Sequence, residues 1–132
     1  MPKPFGFPRS IRLRKKTEID PVFRRGQYHR LGWLQAKAVP RLGGASRFMI
    51  SVSKRAGTAP ERNRIRRVVR EAVRLNRQQL SQPFDIGFFV TVRPPQPARL
   101  ADVERELRRL FSRLGRPRAE GARNGAPDDG TA

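Results

Sequence analysis

The sequence predicts an α+β fold, a small mixed β-sheet packed against helices in the order helix, strand, strand, helix, strand, helix. Three observations lead there. Two stretches alternate apolar and polar residues with period two. Two others carry apolar residues at i, i+3, i+4 and i+7. The two kinds of segment follow one another within about a hundred residues, the size of one domain with a modest core.

The elements come in order. Residues 17 to 25, TEIDPVFRR, read as a short helix with Thr17 as N-cap and Gly26 as stop. Ile19, Val22 and Phe23 share its apolar face, and Pro21 is tolerated if it lies in the first turn. Residues 32 to 39, GWLQAKAV, alternate as a strand. Leu34, Ala36 and Ala38 point one way; Trp33, Gln35 and Lys37 point the other. Gly43 and Gly44 mark a turn. Residues 47 to 53, RFMISVS, form the next strand, with Phe48, Ile50 and Val52 inward and Met49, Ser51 and Ser53 outward.

The next helix opens with Pro60 and Glu61, both suited to a first turn, and runs to about Leu80. Its apolar stripe is Ile65, Val68, Val69, Ala72 and Val73. Residues 84 to 92, FDIGFFVTV, read as a buried strand that Pro94 and Pro95 end. Residues 100 to 114 make a last amphipathic helix through Leu100, Val103, Leu107, Leu110, Phe111 and Leu114. Residues 1 to 9 and 115 to 132 are rich in Pro, Gly and Ala without hydrophobic period and read as disordered ends, so the domain spans 10 to 114.

Charge sets the class of partner. Thirty Lys and Arg stand against eleven Asp and Glu, a formal +19. Such a chain repels itself unless a polyanion relieves it. No apolar run reaches the roughly 20 residues of a membrane-spanning helix. The N-terminus lacks the apolar stretch of a signal peptide, so the expected compartment is the cytoplasm. Cysteine is absent and His29 is the only histidine, which excludes thiolate metal sites and any site that needs two histidines. The residues offer no catalytic constellation and no metal ligand set.

The charge concentrates in ERNRIRRVVREAVR, residues 61 to 74. Arg62, Arg66 and Arg70 form one i, i+4 row, with Asn63, Arg67 and Arg74 beside it. Like charges so spaced weaken a helix by a few tenths of a kcal/mol per pair. A solvated helix normally mixes signs, whereas here only Glu61 and Glu71 interrupt. Arginine's planar fork suits phosphate, and Asn63 can donate to a phosphate or accept from a base. The outward residues of the strands, Trp33, Gln35, Lys37 and Ser51 among them, suit single-stranded nucleic acid. A helix-turn-helix protein bound to DNA is excluded by order, since the basic helix follows a strand.

The stretch SVSKRAGTAPERNRIRRVVREAVR, residues 51 to 74, resembles the signature of the bacterial ribonuclease P protein component. Leu13-Arg14-Lys15, then Val22, Phe23 and Gly26, echo that family's first helix, and the resemblance covers about residues 9 to 114. It implies the small basic subunit of a ribonucleoprotein endonuclease that removes the 5′ leader from precursor tRNA. The catalytic centre and its Mg2+ belong to the RNA subunit. The partners implied are that catalytic RNA and the leader, with neither membrane nor DNA. Lys54, Arg55, Arg62, Asn63, Arg64, Arg66, Arg67 and Arg70 then contact RNA, and Phe23, Trp33, Gln35, Lys37 and Ser51 line the leader cleft. The resemblance also implies a left-handed crossover through the basic helix, against the usual hand. Ile19 and Lys37 stand where the family often has aromatic residues, which shifts the cleft from stacking toward charge. The alternative is a general RNA-binding or ribosome-associated protein without a dedicated enzyme.

Overall fold

The computed structural model describes residues 11–115. Its elements are α1 (Lys16–Arg25), β1 (Gln27–Leu31), β2 (Leu34–Pro40), β3 (Arg47–Val52), α2 (Ala59–Asn76), β4 (Phe84–Val90) and α3 (Leu100–Gly115). The strands form one mixed sheet in the order β1-β2-β4-β3. Neighbours are antiparallel except β3 and β4, which are parallel and joined by a crossover through α2. Residues 11–13 flank the outer edge of β3. Arg12 bridges Phe48 in parallel, and Leu13 donates its amide to the Phe48 carbonyl at 2.9 Å. The two ends predicted to be disordered lie outside the described residues, apart from Gly115 at the end of α3.

The predicted order lacked β1. QYHRL does not alternate, because only Leu31 of this edge strand is buried and the rest is held by pairing to β2. Gly32, at φ 69°, and Trp33 form the two-residue loop between β1 and β2, so β2 starts at Leu34. Trp33 therefore does not point outward with Gln35 and Lys37. It packs, partly buried, against the core.

The helix ends also differ in detail. Thr17 does not cap α1, which starts a residue earlier. Its first turn is closed by Glu18, whose Oε1 accepts from the amides of Arg14 and Lys15 at 3.1 and 3.2 Å. Pro21 lies in the second turn, inside the helix. α2 stops at Asn76, and a 3-10 turn, Arg77–Gln79, carries the chain to Leu80. Asn76 is buried there. Its Nδ2 donates to the Ala72 carbonyl at 2.8 Å and to Glu104 of α3 at 3.1 Å, so a polar residue ties the two helices.

One face of the sheet makes the core with α2 and α3. Leu34, Ala36, Ala38, Phe48, Ile86, Phe88 and Val90 meet Ile65, Val69, Ala72 and Val73 of α2 and Val103, Leu107, Leu110 and Phe111 of α3. Phe48 stacks on Phe88 with ring centroids 6.4 Å apart. Ile50 and Val52, near the outer edge of the sheet, are only half-buried. The other face carries α1 across one end and leaves the rest open.

Candidate nucleic-acid interface

The basic helix begins at a well-made cap. Thr58 Oγ1 accepts from the Glu61 amide at 3.3 Å, and Glu61 Oε1 accepts from the Thr58 amide at 2.8 Å. Gly57 allows this closure. Its φ is 144°, and a Cβ there would lie 2.5 Å from Glu61 Oε1. Just before it, Ser53 Oγ accepts from the Arg55 amide at 3.1 Å and caps a 3-10 turn that exposes Lys54 and Arg55. Ser53 was expected to point outward from the strand; capping gives it this local role.

The structure divides the arginines of α2 between two flanks of the buried stripe. Arg62, Asn63, Arg66, Arg67 and Arg70 share one flank. Arg62 is half-buried, with its Nε donating to the Gly57 carbonyl at 3.2 Å. Arg66 Nη1 donates to Asn63 Oδ1 at 2.8 Å, so the amide is oriented by the neighbouring guanidinium. Arg70 is also half-buried. Burial lowers its pKa, helped by the positive charges of Arg12, Arg66 and Arg67. Arg12, on the segment that flanks β3, thus lies near enough to Arg70 for its charge to act there together with those of Arg66 and Arg67. Arg12 was missed in the sequence because more than fifty positions separate it from Arg70.

Arg64 stands apart. Two residues turn a helix by about 200°, so Arg64 emerges on the flank toward α3, where its Nε donates to the Ala98 carbonyl at 3.0 Å. Arg74 lies on the first flank but is neutralised by Glu71 through two hydrogen bonds, at 2.9 and 2.6 Å.

The open sheet face collects the other predicted residues. The register aligns Gln35, Phe89 and Ser51 in one row, and Tyr28, Lys37, Gly87 and Met49 in the next. Phe23 of α1 leans over Gly87 and meets Phe89 edge-on at 5.7 Å. Tyr28 flanks Phe89 at 6.4 Å. Tyr28 donates its hydroxyl to Gln35 Oε1 at 2.8 Å, and Gln35 Nε2 donates to Thr91 Oγ1 at 3.0 Å. Lys37 Nζ donates to the Phe23 carbonyl at 2.8 Å. Phe23, Gln35, Lys37 and Ser51 therefore lie together, and Trp33 does not. Phe89 and Tyr28 were missed. FFV reads as buried throughout, yet Phe89 belongs to the open face, and Tyr28 sits on the strand without alternation.

The surface is one of aromatic rings, amides, hydroxyls and cations, groups of the kind that can stack on bases and pair with phosphates. Most carboxylates among the described residues are taken up in ion pairs. Glu18 and Asp85 bind Arg47, Glu61 binds Arg93, Asp102 binds Arg105, and Glu104 binds Arg108. Among the described residues no three His, Asp or Glu side chains gather as a metal cage would need. The described residues therefore offer no ready-made cage for a Mg2+ ion.

The family model for ribonuclease P matches residues 7–115. The chain belongs to the ribonuclease P protein family. Relatives named ribonuclease P protein component agree. That of Roseiflexus castenholzii is 38% identical over 122 residues, covering 91% of this chain and 97% of the relative. That of Desulforapulum autotrophicum is 33% identical over 112 residues, covering 85% and 95%. The solved RNase P protein of Thermotoga maritima superposes with a TM-score of 0.64 at 25% identity, covering 77% of this chain and 96% of that one. The Staphylococcus aureus RNase P protein gives 0.64 at 21% identity, covering 78% and 94%, a likeness of fold. As a ribonuclease P protein, this chain is the protein subunit of an endoribonuclease of tRNA processing, and its partner is the ribonuclease P RNA. The reading as a general RNA-binding protein is not favoured. No helix among the described residues is long and apolar enough to cross a membrane.

Proposed function

We propose that this ribonuclease P protein docks on the catalytic RNA through the Arg62, Asn63, Arg66, Arg67 and Arg70 flank of α2, with Lys54 and Arg55, and holds the 5′ leader of precursor tRNA on the open sheet face. The observation that carries this is the gathering of Phe23, Gln35, Lys37 and Ser51 with Phe89 and Tyr28 on one face, beside a separate arginine flank. Bases can stack on Phe23 and Phe89, while Lys37 and Ser51 meet the backbone. Mg2+ is held by the RNA on this reading, in keeping with the ion pairs that occupy most acidic side chains among the described residues. The protein raises RNA affinity for substrate and metal, and works in the cytoplasm without membrane or DNA.

Two measurements test it. Recombinant protein alone leaves precursor tRNA intact, and adding the cognate RNA at low magnesium restores cleavage; cleavage by the repurified protein alone overturns the division of labour. Arg66→Ala or Arg67→Ala lowers the slope of log affinity for the catalytic RNA against log salt by about one unit per lost phosphate contact. Unchanged slopes in both variants would mean that this flank is only solvated.

A further inference from the structure

Behind the start of α2, on the flank that Arg64 faces, lies a pocket of about 200 Å³ bounded by residues 93–98. Its floor is apolar and well ordered by packing: Ala56, Ile65 and Ala98 are buried at 0%, 2% and 4% exposure. Pro94, Pro95 and Pro97 line one wall. Proline fixes its own backbone angle, so this wall is preformed. The volume is below the roughly 300–1,000 Å³ of sites for drug-sized ligands, and a small planar group fits it better than a whole cofactor.

The rim is charged and braced. Arg64 is anchored by its Nε to the Ala98 carbonyl at 3.0 Å, and its terminal nitrogens have no partner among the described residues. Arg93 Nη1 binds Glu61 Oε2 at 3.1 Å, and Glu61 is in turn held by the Thr58 amide at 2.8 Å. Two guanidiniums against one carboxylate leave the rim positive. The Gln96 amide offers both a donor and an acceptor. An apolar slot under planar cations matches a nucleobase with its phosphate, because guanidiniums stack on bases and pair with phosphates.

We propose that this pocket takes one unstacked nucleotide of the RNA, its base against the proline wall and its phosphate on Arg64 and Arg93. The proposal rests on the reading of the chain as an RNA-binding subunit and adds a second contact on the opposite flank of α2. It gives a use to Arg64, which helix geometry turns away from Arg62 and Arg66.

The test is an amide NMR titration of the full chain with adenosine 5′-monophosphate and, separately, with ribose 5-phosphate. The nucleotide is expected to shift the amides of Ile65 and Ala98, the base-free sugar phosphate is not, and Arg93→Ala abolishes the difference. Equal shifts from both compounds, shifts confined to the Arg66, Arg67 and Arg70 flank, or no shifts at all overturn the pocket. So do shifts at Ala98 from an apolar peptide and none from the nucleotide, which would assign it to a protein partner. Binding of the ribonuclease P RNA by the same preparation is measured in parallel. Intact RNA binding with a silent pocket sinks only this inference, whereas lost RNA binding sinks the broader reading.

Discussion

Arg47 of β3 holds Asp85 of β4 by two parallel hydrogen bonds, Nε to Oδ1 at 2.9 Å and Nη2 to Oδ2 at 2.7 Å. Its remaining Nη1 donates to Glu18 Oε2 of α1 at 2.9 Å. One guanidinium therefore joins the two parallel strands to the helix beside the open face. Arg47→Ala is expected to lower unfolding free energy by about 2 kcal/mol, the scale of charge-assisted bonds in a partly exposed setting. Arg41, 3.7 Å from Asp85, keeps that carboxylate near a cation and limits the loss. Urea unfolding measures it, and a change below about 0.5 kcal/mol would show that α1 is held by its apolar face alone.

Acid should weaken the fold through three carboxylates. The backbone amides of Arg14 and Lys15 lower the pKa of Glu18 from its ordinary 4.5. The Thr58 amide does the same for Glu61, with Arg93 assisting, and the Arg74 guanidinium does so for Glu71. A carboxylate whose folded pKa lies below its unfolded value stabilises fully above the unfolded value. The contribution is lost as pH falls through the folded one. Stability from these groups is thus present at neutral pH and declines below about 4.5. Glu18→Gln is expected to unfold at lower urea than the parent at neutral pH, with the gap closing in acid. A gap that is the same at both ends would mean the charge of Glu18 plays no part.

Gly87 lets Phe23 lie close over the sheet. A Cβ at position 87 would sit 3.0 Å from Phe23 Cζ and 3.3 Å from Cε2. Gly87→Ala should push the ring outward by a few tenths of an ångström and cost about 1 kcal/mol of stability, the low end of what overpacking costs. Preference for precursor over mature tRNA in the holoenzyme should fall several-fold, while affinity for the catalytic RNA stays the same. Filter binding of both tRNAs measures this, and an unchanged preference would remove Phe23 from the leader site.

Much of this was legible from residue order, for local reasons. The stripe Ile65, Val69, Ala72 and Val73 is buried because helical period alone puts those residues on one face. The alternation of Leu34, Ala36 and Ala38 against Gln35 and Lys37 marks the two faces of a strand in the same way. The density of arginine from 62 to 70 announced a polyanion partner, and the run from Ser51 to Arg74 announced the family.

What the sequence by itself determined is therefore which residues share a face within one element, since a period of 3.6 or 2 acts over a few residues. Tertiary structure decided what those faces meet. It made QYHRL a strand by pairing it to β2, and it turned Trp33 against the core through a two-residue loop. It brought Phe89 and Tyr28 beside Phe23, set Arg12 against Arg70, and aimed Arg64 at a proline-lined pocket. Each of these depends on a partner dozens of residues away or on the other side of a turn, and local periodicity carries no record of such a partner.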